Sequence, residues 1–447
     1  PASVPSDAGV PTESTSPATA APAATATTRA TRPRPTPSTA GRPGVPTPAG
    51  PPAASPISPA PPAPGTGAPA STDPGPAPPF YNSGSSGDAA ATPAPAASSP
   101  SGGAGSPQGA APSTQKSTAP APAGPPLRVG IVTGDAAQEA GFRAYVDRLN
   151  QSGGVRGHEI DLVPVSPASP AADTIATVNL SAQPVAGPGG APSWAGRGPL
   201  LETLTATENL LAGNGAVFSF ASPPERQGHL AADALFPSTV KNRTAVIYAA
   251  PSGPLSDAVP AAMRAVLESR GVRVVVVTYD PDAPQKAPLR EGVDAALLSL
   301  DPAAARAWVA EAKAAGYRPA LGVAGIYSLA DATLAPDLPE GARVISPYVV
   351  PAGAEGEAIR SAAGGTSAPV LHGWVGAKAL AAAIWRTGAD TPAELQSALE
   401  ALTGWSPGLA PAYETRPGTR SRTPEGVLLQ VQSGAFATDG AWRRDPF

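Results

Sequence analysis

The sequence predicts an α/β fold of two lobes, each built on a mostly parallel sheet, behind a long disordered Pro/Ala-rich arm. Three observations predict it. From Leu127 onward, short apolar runs alternate with amphipathic segments, and such alternation means βαβ units with right-handed crossovers. Two sets of these units in one chain imply two lobes, with a hinge cleft where the strand carboxyl ends face each other. Before Leu127 the chain is almost entirely Pro, Ala, Ser, Thr and Gly, and it holds no Leu at all. Such a segment cannot bury enough apolar area to offset roughly 1–2 kcal/mol of backbone entropy per residue. Residues 1–126 are therefore expected to be disordered, with proline biasing them toward extended polyproline II structure.

Taken in order, LRVGIVTG (Leu127–Gly134) is an apolar run closed by turn residues and reads as a parallel strand. The next stretch, Ala140–Val165, is the most informative in the chain. Phe142, Val146 and Leu149 fall at i, i+4 and i+7 and so share one helical face. Gly153 and Gly154 can take the left-handed conformation that ends a helix, and Gly157 permits a tight turn into the strand EIDLVPV. TVNLSAQPVAG contains a strand, and Pro184–Gly198 is an irregular loop. PLLETLTATENLLAG (Pro199–Gly213) is expected to be a helix with Leu200, Leu204 and Leu211 on one side. AVFSFAS is a strand. SPPERQGHLAADALF opens a helix with Ser222 as N-cap and Pro223 in the first turn.

From there the alternation is regular. RTAVIYAAPSG is a strand, and LSDAVPAAMRAVLESRG is a helix stopped by Gly271. VRVVVVTYDP is expected to be a buried strand and VDAALLSLDP another, with Asp301-Pro302 starting the helix AAARAWVAEAKAAG that Gly316 ends. PALGVAGIYS and ARVISPYVVP are strands or strand–turn units. LHGWVGAKALAAAIWRTG (Leu371–Gly388) is a strongly apolar helix, TPAELQSALEAL is a second, and GVLLQVQSGAFA is a late hairpin-type strand.

The chain carries a formal net charge of −4 without a clustered basic face, which argues against a nucleic-acid partner. No apolar run approaches the length needed to span a bilayer. There is no cysteine, so neither disulfides nor thiolate chemistry can operate. A long Pro/Ala/Thr tether suits an exported protein of the cell envelope, lipoprotein-like, held beyond a membrane anchor upstream of Pro1.

Strand, helix, the N-x-x-GG-V-x-G turn of residues 150–157 and strand together resemble the opening of the type 1 periplasmic binding proteins. More closely, they resemble the leucine/isoleucine/valine-binding branch of transporter solute receptors. The similarity continues through AVFSFASPPERQGHLAADAL, the strand–helix–strand unit from Arg243, the unit from Val293 and the late helices from Gly373. The order and spacing of these segments are its specific part. It implies two Rossmann-like lobes joined by three crossovers, closing on a small solute that is delivered to permease subunits of an ABC transporter. It implies neither covalent chemistry nor a cofactor. Lobe 1 would comprise 127–221 plus 349–412, and lobe 2 would comprise 222–348 plus 413–447.

The resemblance weakens at the expected ligand contacts. Members that hold amino acids use hydroxyl and backbone donors of lobe 1 for the carboxylate and an acidic residue of lobe 2 for the ammonium. GVAGIYS matches the loop carrying that acid, and the matching place holds Ala324. An aromatic residue usual after the first lobe-2 strand is replaced around Ser252 and Gly253, and the lobe-1 recognition loop by the Pro/Gly-rich stretch near 187–198. Two readings follow. One is a receptor of the branched-chain amino acid/amide transport class retuned to another solute. The alternative is a degenerate binding-protein fold serving as a structural or partner-binding module at the cell surface.

Candidate ligand-binding residues lie in turns at strand carboxyl ends: Thr133, Gly134 and Asp135 after the first strand, and Ser219 and Ser222 around the crossing strand. Ser252, Asp301, Tyr327 and Tyr348 occupy lobe-2 or hinge turns, and Trp374 stands near the start of the late helix. Plainer roles compete: helix capping for Asp135, Ser222 and Asp301, packing for Tyr327 and Trp374. His158 is expected to be exposed in its turn, His229 and His372 to be structural. His158-Glu159 continues with Ile and Asp, so there is no HExxH zinc pair, and neither a phosphate loop nor a nucleophile elbow exists. The chain is therefore expected to be neither an enzyme nor a metal or cofactor carrier.

Overall fold

The computed structural model describes residues 124–166, 173–185, 198–212, 215–236, 243–283, 289–413 and 425–445. The expected disorder of the arm, and most of the Pro/Gly-rich loop before Gly198, fall outside these residues.

The first sheet is parallel throughout. It is built from β1 (Leu127–Thr133), β2 (Ile160–Pro164), β3 (Ala176–Leu180), β4 (Leu200–Leu201) and β5 (Val217–Phe218), in the order β2-β1-β3-β4-β5. Between β1 and β2 runs α1 (Ala136–Gln151), whose Phe142, Val146 and Leu149 are all buried, as their spacing requires. The turn that follows has a physical reason for each of its marked residues. Asn150 bonds both the amide and the carbonyl of Ile160, at 2.9 and 3.0 Å, and so ties the helix end to β2. Gly154 sits at φ +76°, and a Cβ there would overlap the carbonyl oxygen of His158. His158 is half-buried rather than exposed, with Nδ1 2.8 Å from the carbonyl of Pro125.

Pro199–Gly213 is not one helix. Leu200 and Leu201 complete the sheet between β3 and β5, and only Glu208–Ala212 (α2) is helical. The leucine spacing that suggested a helix fills two places: Leu204 joins the main core, while Leu200 and Leu211 pack with Leu210, Ala206 and Val217 in a small second cluster.

After β5 the chain crosses to the second sheet through α3 (Pro224–Leu235). Pro223, not Ser222, holds the N-cap position, with no side-chain cap bond, because two prolines in sequence move the helix start one residue on. There follow β6 (Thr244–Ala249), α4 (Ala258–Ser269), β7 (Arg273–Thr278), β8 (Ala295–Ser299), α5 (Pro302–Ala314), β9 (Gly322–Gly325), a single 3-10 turn (Tyr327–Leu329) and β10 (Arg343–Ser346). The chain then returns to pack α6 (Gly353–Ala363) and α7 (Ala368–Thr387) against α1, with α8 (Pro392–Glu400) on α7. A last crossing delivers β11 (Glu425–Gln432), β12 (Ala435–Ala437) and β13 (Trp442–Arg444). The second sheet runs β12-β11-β10-β9-β8-β6-β7, with β13 also on β11; β7 to β10 are parallel and β11 to β13 antiparallel. β8 is wholly buried. β7 is the edge strand and only half-buried, contrary to the expectation from its valine run. Among the described residues no helix is long and apolar enough to cross a membrane.

Candidate functional site

In open parallel sheets ligands bind outside the carboxyl ends of the strands, and those ends of the two sheets meet here. A Cβ at Gly253, in the turn after β6, would lie 2.9 Å from Oε1 of Gln183, in the turn after β3. The rim is polar on the first-sheet side. Asp135 caps α1, accepting from the amides of Ala137 (2.9 Å) and Gln138 (3.2 Å) and from Gln138 Nε2 (3.0 Å). Gln138 Nε2 also donates to Ser181 O at 3.2 Å, and Thr203 Oγ1 lies 2.8 Å from that carbonyl and 3.1 Å from Gln138 Oε1. Asn179 Nδ2 donates to Glu202 Oε2 at 2.6 Å, and Asn179 Oδ1 accepts from Ser181 Oγ at 2.6 Å. Glu202 is 2 % exposed and accepts further from the amides of Val185 and Thr203. Thr133 and Gly134 are exposed at the end of β1, and a Cβ at Gly134 would lie 3.1 Å from that of Ser181.

On the second-sheet side Ser252 is exposed beside Gly253. Asp301, at the end of β8, caps α5 through Oδ1, which accepts from the amides of Ala303 and Ala304 at 2.9 Å each. Tyr327, after neighbouring β9, is 4 % exposed, and its amide donates to Gln227 Oε1 at 3.2 Å. Burial pushes its phenol pKa well up, and the negative charges of Asp135 and Asp301 push it the same way. Ala324 is fully buried within β9, and so its position offers no group to the rim.

The remaining candidates belong to the hinge end or the core. Ser219 Oγ accepts from the amide of Ala221 at 3.3 Å. Ser222 is buried, and its hydroxyl has no partner. Tyr348 is buried, with its hydroxyl 2.7 Å from His372 Nδ1 and 3.2 Å from the carbonyl of Phe220. His372 Nε2 lies 3.0 Å from the carbonyl of Glu202. A carbonyl only accepts, so Nε2 carries the proton and Nδ1 of the neutral ring accepts from Tyr348. Trp374 is buried edge-on to Tyr145, centroids 5.0 Å apart, and its Nε1 donates to Glu355 at 3.1 Å. His229 pairs with the buried carboxylate of Asp445, which also takes Arg226, itself paired with Glu208 at 2.5 Å.

Gln138, Asn179, Ser181, Gln183, Glu202, Thr203 and Gln227 escape sequence reasoning. The signal that could have found Asn179 and Glu202 is a polar residue closing an apolar strand, but only the strand order brings them together.

Two α/β layers joined by three crossings, with polar strand ends face to face, define a two-lobed binding-protein fold. The chain belongs to the periplasmic binding protein family, whose model matches residues 132–435. No curated protein matches it. Among solved structures it is similar to a fatty acid ABC transporter substrate-binding protein from Thermomonospora curvata, at 17% identity and a TM-score of 0.57, over 72% of this chain and 92% of that one. A solute-binding protein of an ABC transporter from R. palustris, in complex with benzoate, matches at 16% identity and 0.55, over 72% and 98%. The branched-chain amino acid transporter substrate-binding protein of Streptococcus pneumoniae, in complex with isoleucine, matches at 16% and 0.54, over 71% and 99%.

Proposed function

We propose that this chain is an extracytoplasmic solute receptor, tethered by its N-terminal arm, that traps a small molecule between its lobes without chemically altering it. The lobes are 127–221 with 349–412, and 222–348 with 413–447. The solute passes to the permease of an ABC-type uptake system of the branched-chain amino acid/amide class. Thr133, Gly134, Asp135, Ser252, Asp301 and Tyr327 form the contact set. The observation that supports this reading is the approach of the two sheets' carboxyl ends at Gly253 and Gln183, with the polar caps Asp135 and Asp301 after β1 and β8. Family membership supports it independently.

A second reading, a degenerate fold acting as a partner-binding module at the cell surface, is favoured by the seating of Gln183 on Gly253 and by the buried Ala324. A thermal-shift screen separates the two, using amino acids, amides, short peptides, sugars, polyamines and nucleosides. A ligand at a hundred times its Kd adds about 2.7 kcal/mol of stability, which raises Tm by several degrees. A shift is expected with at least one solute class. Silence across the panel refutes the receptor and leaves the partner module.

A further inference from the structure

We infer that the groove between α3 and the β10-β11-β13 end of the second sheet is a binding site, separate from the rim, for a small carboxylate with a compact apolar body. The inference stands apart from the receptor reading, since none of the contact residues proposed there lines this groove.

Strand pairing builds the groove. Paired residues of neighbouring strands share a face, and side chains alternate along each strand. Arg443 of β13 pairs with Gly426 of β11, Leu428 with Ile345 of β10, and Gln430 with Arg343. Arg443, Leu428, Ile345 and Arg343 therefore stand on one face together with Gly426. α3 covers that face: a Cβ at Gly426 would lie 2.5 Å from Ile345 Cγ2 and 3.3 Å from Leu230 Cδ1. The helix is tied down at both ends. Near its start Arg226 and His229 hold Asp445 at 2.8 Å each. At its end Arg343 donates to the carbonyl of Ala234, and Arg270 holds Asp233 and the carbonyl of Phe236. Between these ties lies a cavity of about 400 Å³, lined by Leu230, Ile345 and Leu428, with exposed Arg443 at its mouth. Small-molecule pockets measure about 300–1,000 Å³. Gly426 keeps the floor clear, because any side chain there would project between Leu230 and Ile345.

Charge selects the head of the ligand. Each carboxylate around the groove already has a cationic partner: Asp233 has Arg270, Asp439 has Arg443, Glu425 has Arg444 at 2.9 Å, and Asp445 has Arg226 and His229. The guanidiniums are not used up in the same way. Arg343 bonds a carbonyl and, among the described residues, no carboxylate. Arg444 engages Glu425 through Nε, and Arg443 engages Asp439 through Nη2. A guanidinium carries five N–H donors in a fixed fork, so Nε and Nη1 of Arg443 remain without a partner among the described residues. Its pair with Asp439 is exposed and four residues apart in sequence, the kind of ion pair that water competes with most easily. An ammonium head would meet surplus positive charge and no unpaired carboxylate. A carboxylate meets unused donors in the geometry that suits it best. Behind that head, the face of Leu230, Ile345 and Leu428 gives an apolar body a place out of water.

The test is calorimetric titration of the full chain with cyclohexanecarboxylate, its carboxamide and cyclohexylmethylamine. The carboxylate is expected to bind at least about tenfold more tightly than either neutral or cationic analogue, a gap of about 1.4 kcal/mol. Arg443→Gln changes an exposed residue and leaves the fold intact. It is expected to weaken the carboxylate about tenfold while moving the carboxamide less than about threefold. Gly426→Val fills the floor and is expected to abolish binding of the carboxylate, in protein whose circular dichroism matches the parent. Equal affinity for carboxylate and carboxamide overturns the inference, as does no binding of the carboxylate at millimolar concentration. Carboxylate affinity unchanged in Arg443→Gln also overturns it, since the ligand then sits elsewhere, and the receptor reading is untouched. Silence of the solute panel alongside Arg443-dependent binding has the opposite meaning: the receptor reading falls and this site stands.

Discussion

Gly373→Ala and Gly376→Ala, three residues apart on one helix face, are expected to change stability in opposite directions. α1 and α7 cross with Gly141 and Gly373 at the point of contact. A Cβ at Gly373 would overlap the carbonyl oxygen of Gln138 and lie 2.7 Å from the amide nitrogen of Phe142; one at Gly141 would overlap the carbonyl oxygen of Val370. These are backbone atoms, so no rotamer change relieves the overlap and the helices must separate. Overpacking of this kind costs typically about 1–3 kcal/mol and occasionally more. Alanine recovers only about 1 kcal/mol through its helix propensity. With two backbone atoms overlapped the cost lies at the upper end of that range, and Gly373→Ala is therefore expected to destabilise by about 2 kcal/mol. At Gly376 the nearest atoms to a new Cβ are ring carbons of Phe142 at 3.9 and 4.0 Å, an ordinary contact. The same propensity gain then adds to about 0.8 kcal/mol for a buried methyl group, and Gly376→Ala is expected to stabilise by about 1–2 kcal/mol. Urea unfolding followed by tryptophan fluorescence reads both, since Trp374 sits in this interface. A Gly373→Ala protein as stable as the parent, or more so, would refute the close helix crossing and with it the placement of the Asp135 cap at the rim.

Two further variants probe the hinge. Tyr348→Phe leaves the acceptor nitrogen of buried His372 without its donor, and is expected to cost about 1–3 kcal/mol in a denaturant titration; an unchanged midpoint would show that this hydroxyl is idle. Glu225 has its pKa raised, chiefly because burial penalises the charge, while amide hydrogen bonds oppose the shift and the charge of Glu208 adds to it. The folded state thus holds the proton more tightly than the unfolded chain does, and this stabilisation is lost as pH rises from about 4.5 through the raised value. Glu225→Gln is expected to raise Tm at pH 7–8, with the gain vanishing toward pH 4.5. A Tm gain that is instead largest in acid contradicts the sign.

The layers were legible in the sequence because each element carries its own boundary signal. Asp301-Pro302 starts α5, Gly271 and Gly316 take positive φ at helix ends, and the buried runs of β6 and β8 are bounded by turns. Errors arose where a local pattern serves two structures. Four valines in β7 look the same in a central strand and at an edge, and the difference lies in neighbours that the segment does not encode. Leucines at helical spacing in Pro199–Gly213 are divided between a two-residue strand and a one-turn helix, because the gap between β3 and β5 needs filling. At the rim, the caps Asp135 and Asp301 announce themselves before their helices. Gln138, Asn179 and Glu202 do not, since their meeting depends on strand order.

The hinge and the rim are built from different chemistry, and this sets where the protein opens. The three crossings converge on Phe220. Tyr348 of the second crossing places its hydroxyl 3.2 Å from its carbonyl, while Tyr413 and Trp405 of the third pack on its ring with centroids 5.1 and 6.5 Å away. Val349 and Leu409 join the second and third crossings by a backbone bond of 2.9 Å. Separating these elements would expose aromatic side chains that each bury about 150–250 Å². At the rim, by contrast, contact rests on polar groups such as Gln183 against Gly253, which water can replace at a net cost of about 0.5–1.5 kcal/mol per hydrogen bond. The cheap direction of opening is therefore rotation about Phe220 that parts Gln183 from Gly253. On the receptor reading proposed above, a solute that bridges the rim would act far from that pivot, where its binding energy has the greatest leverage on closure.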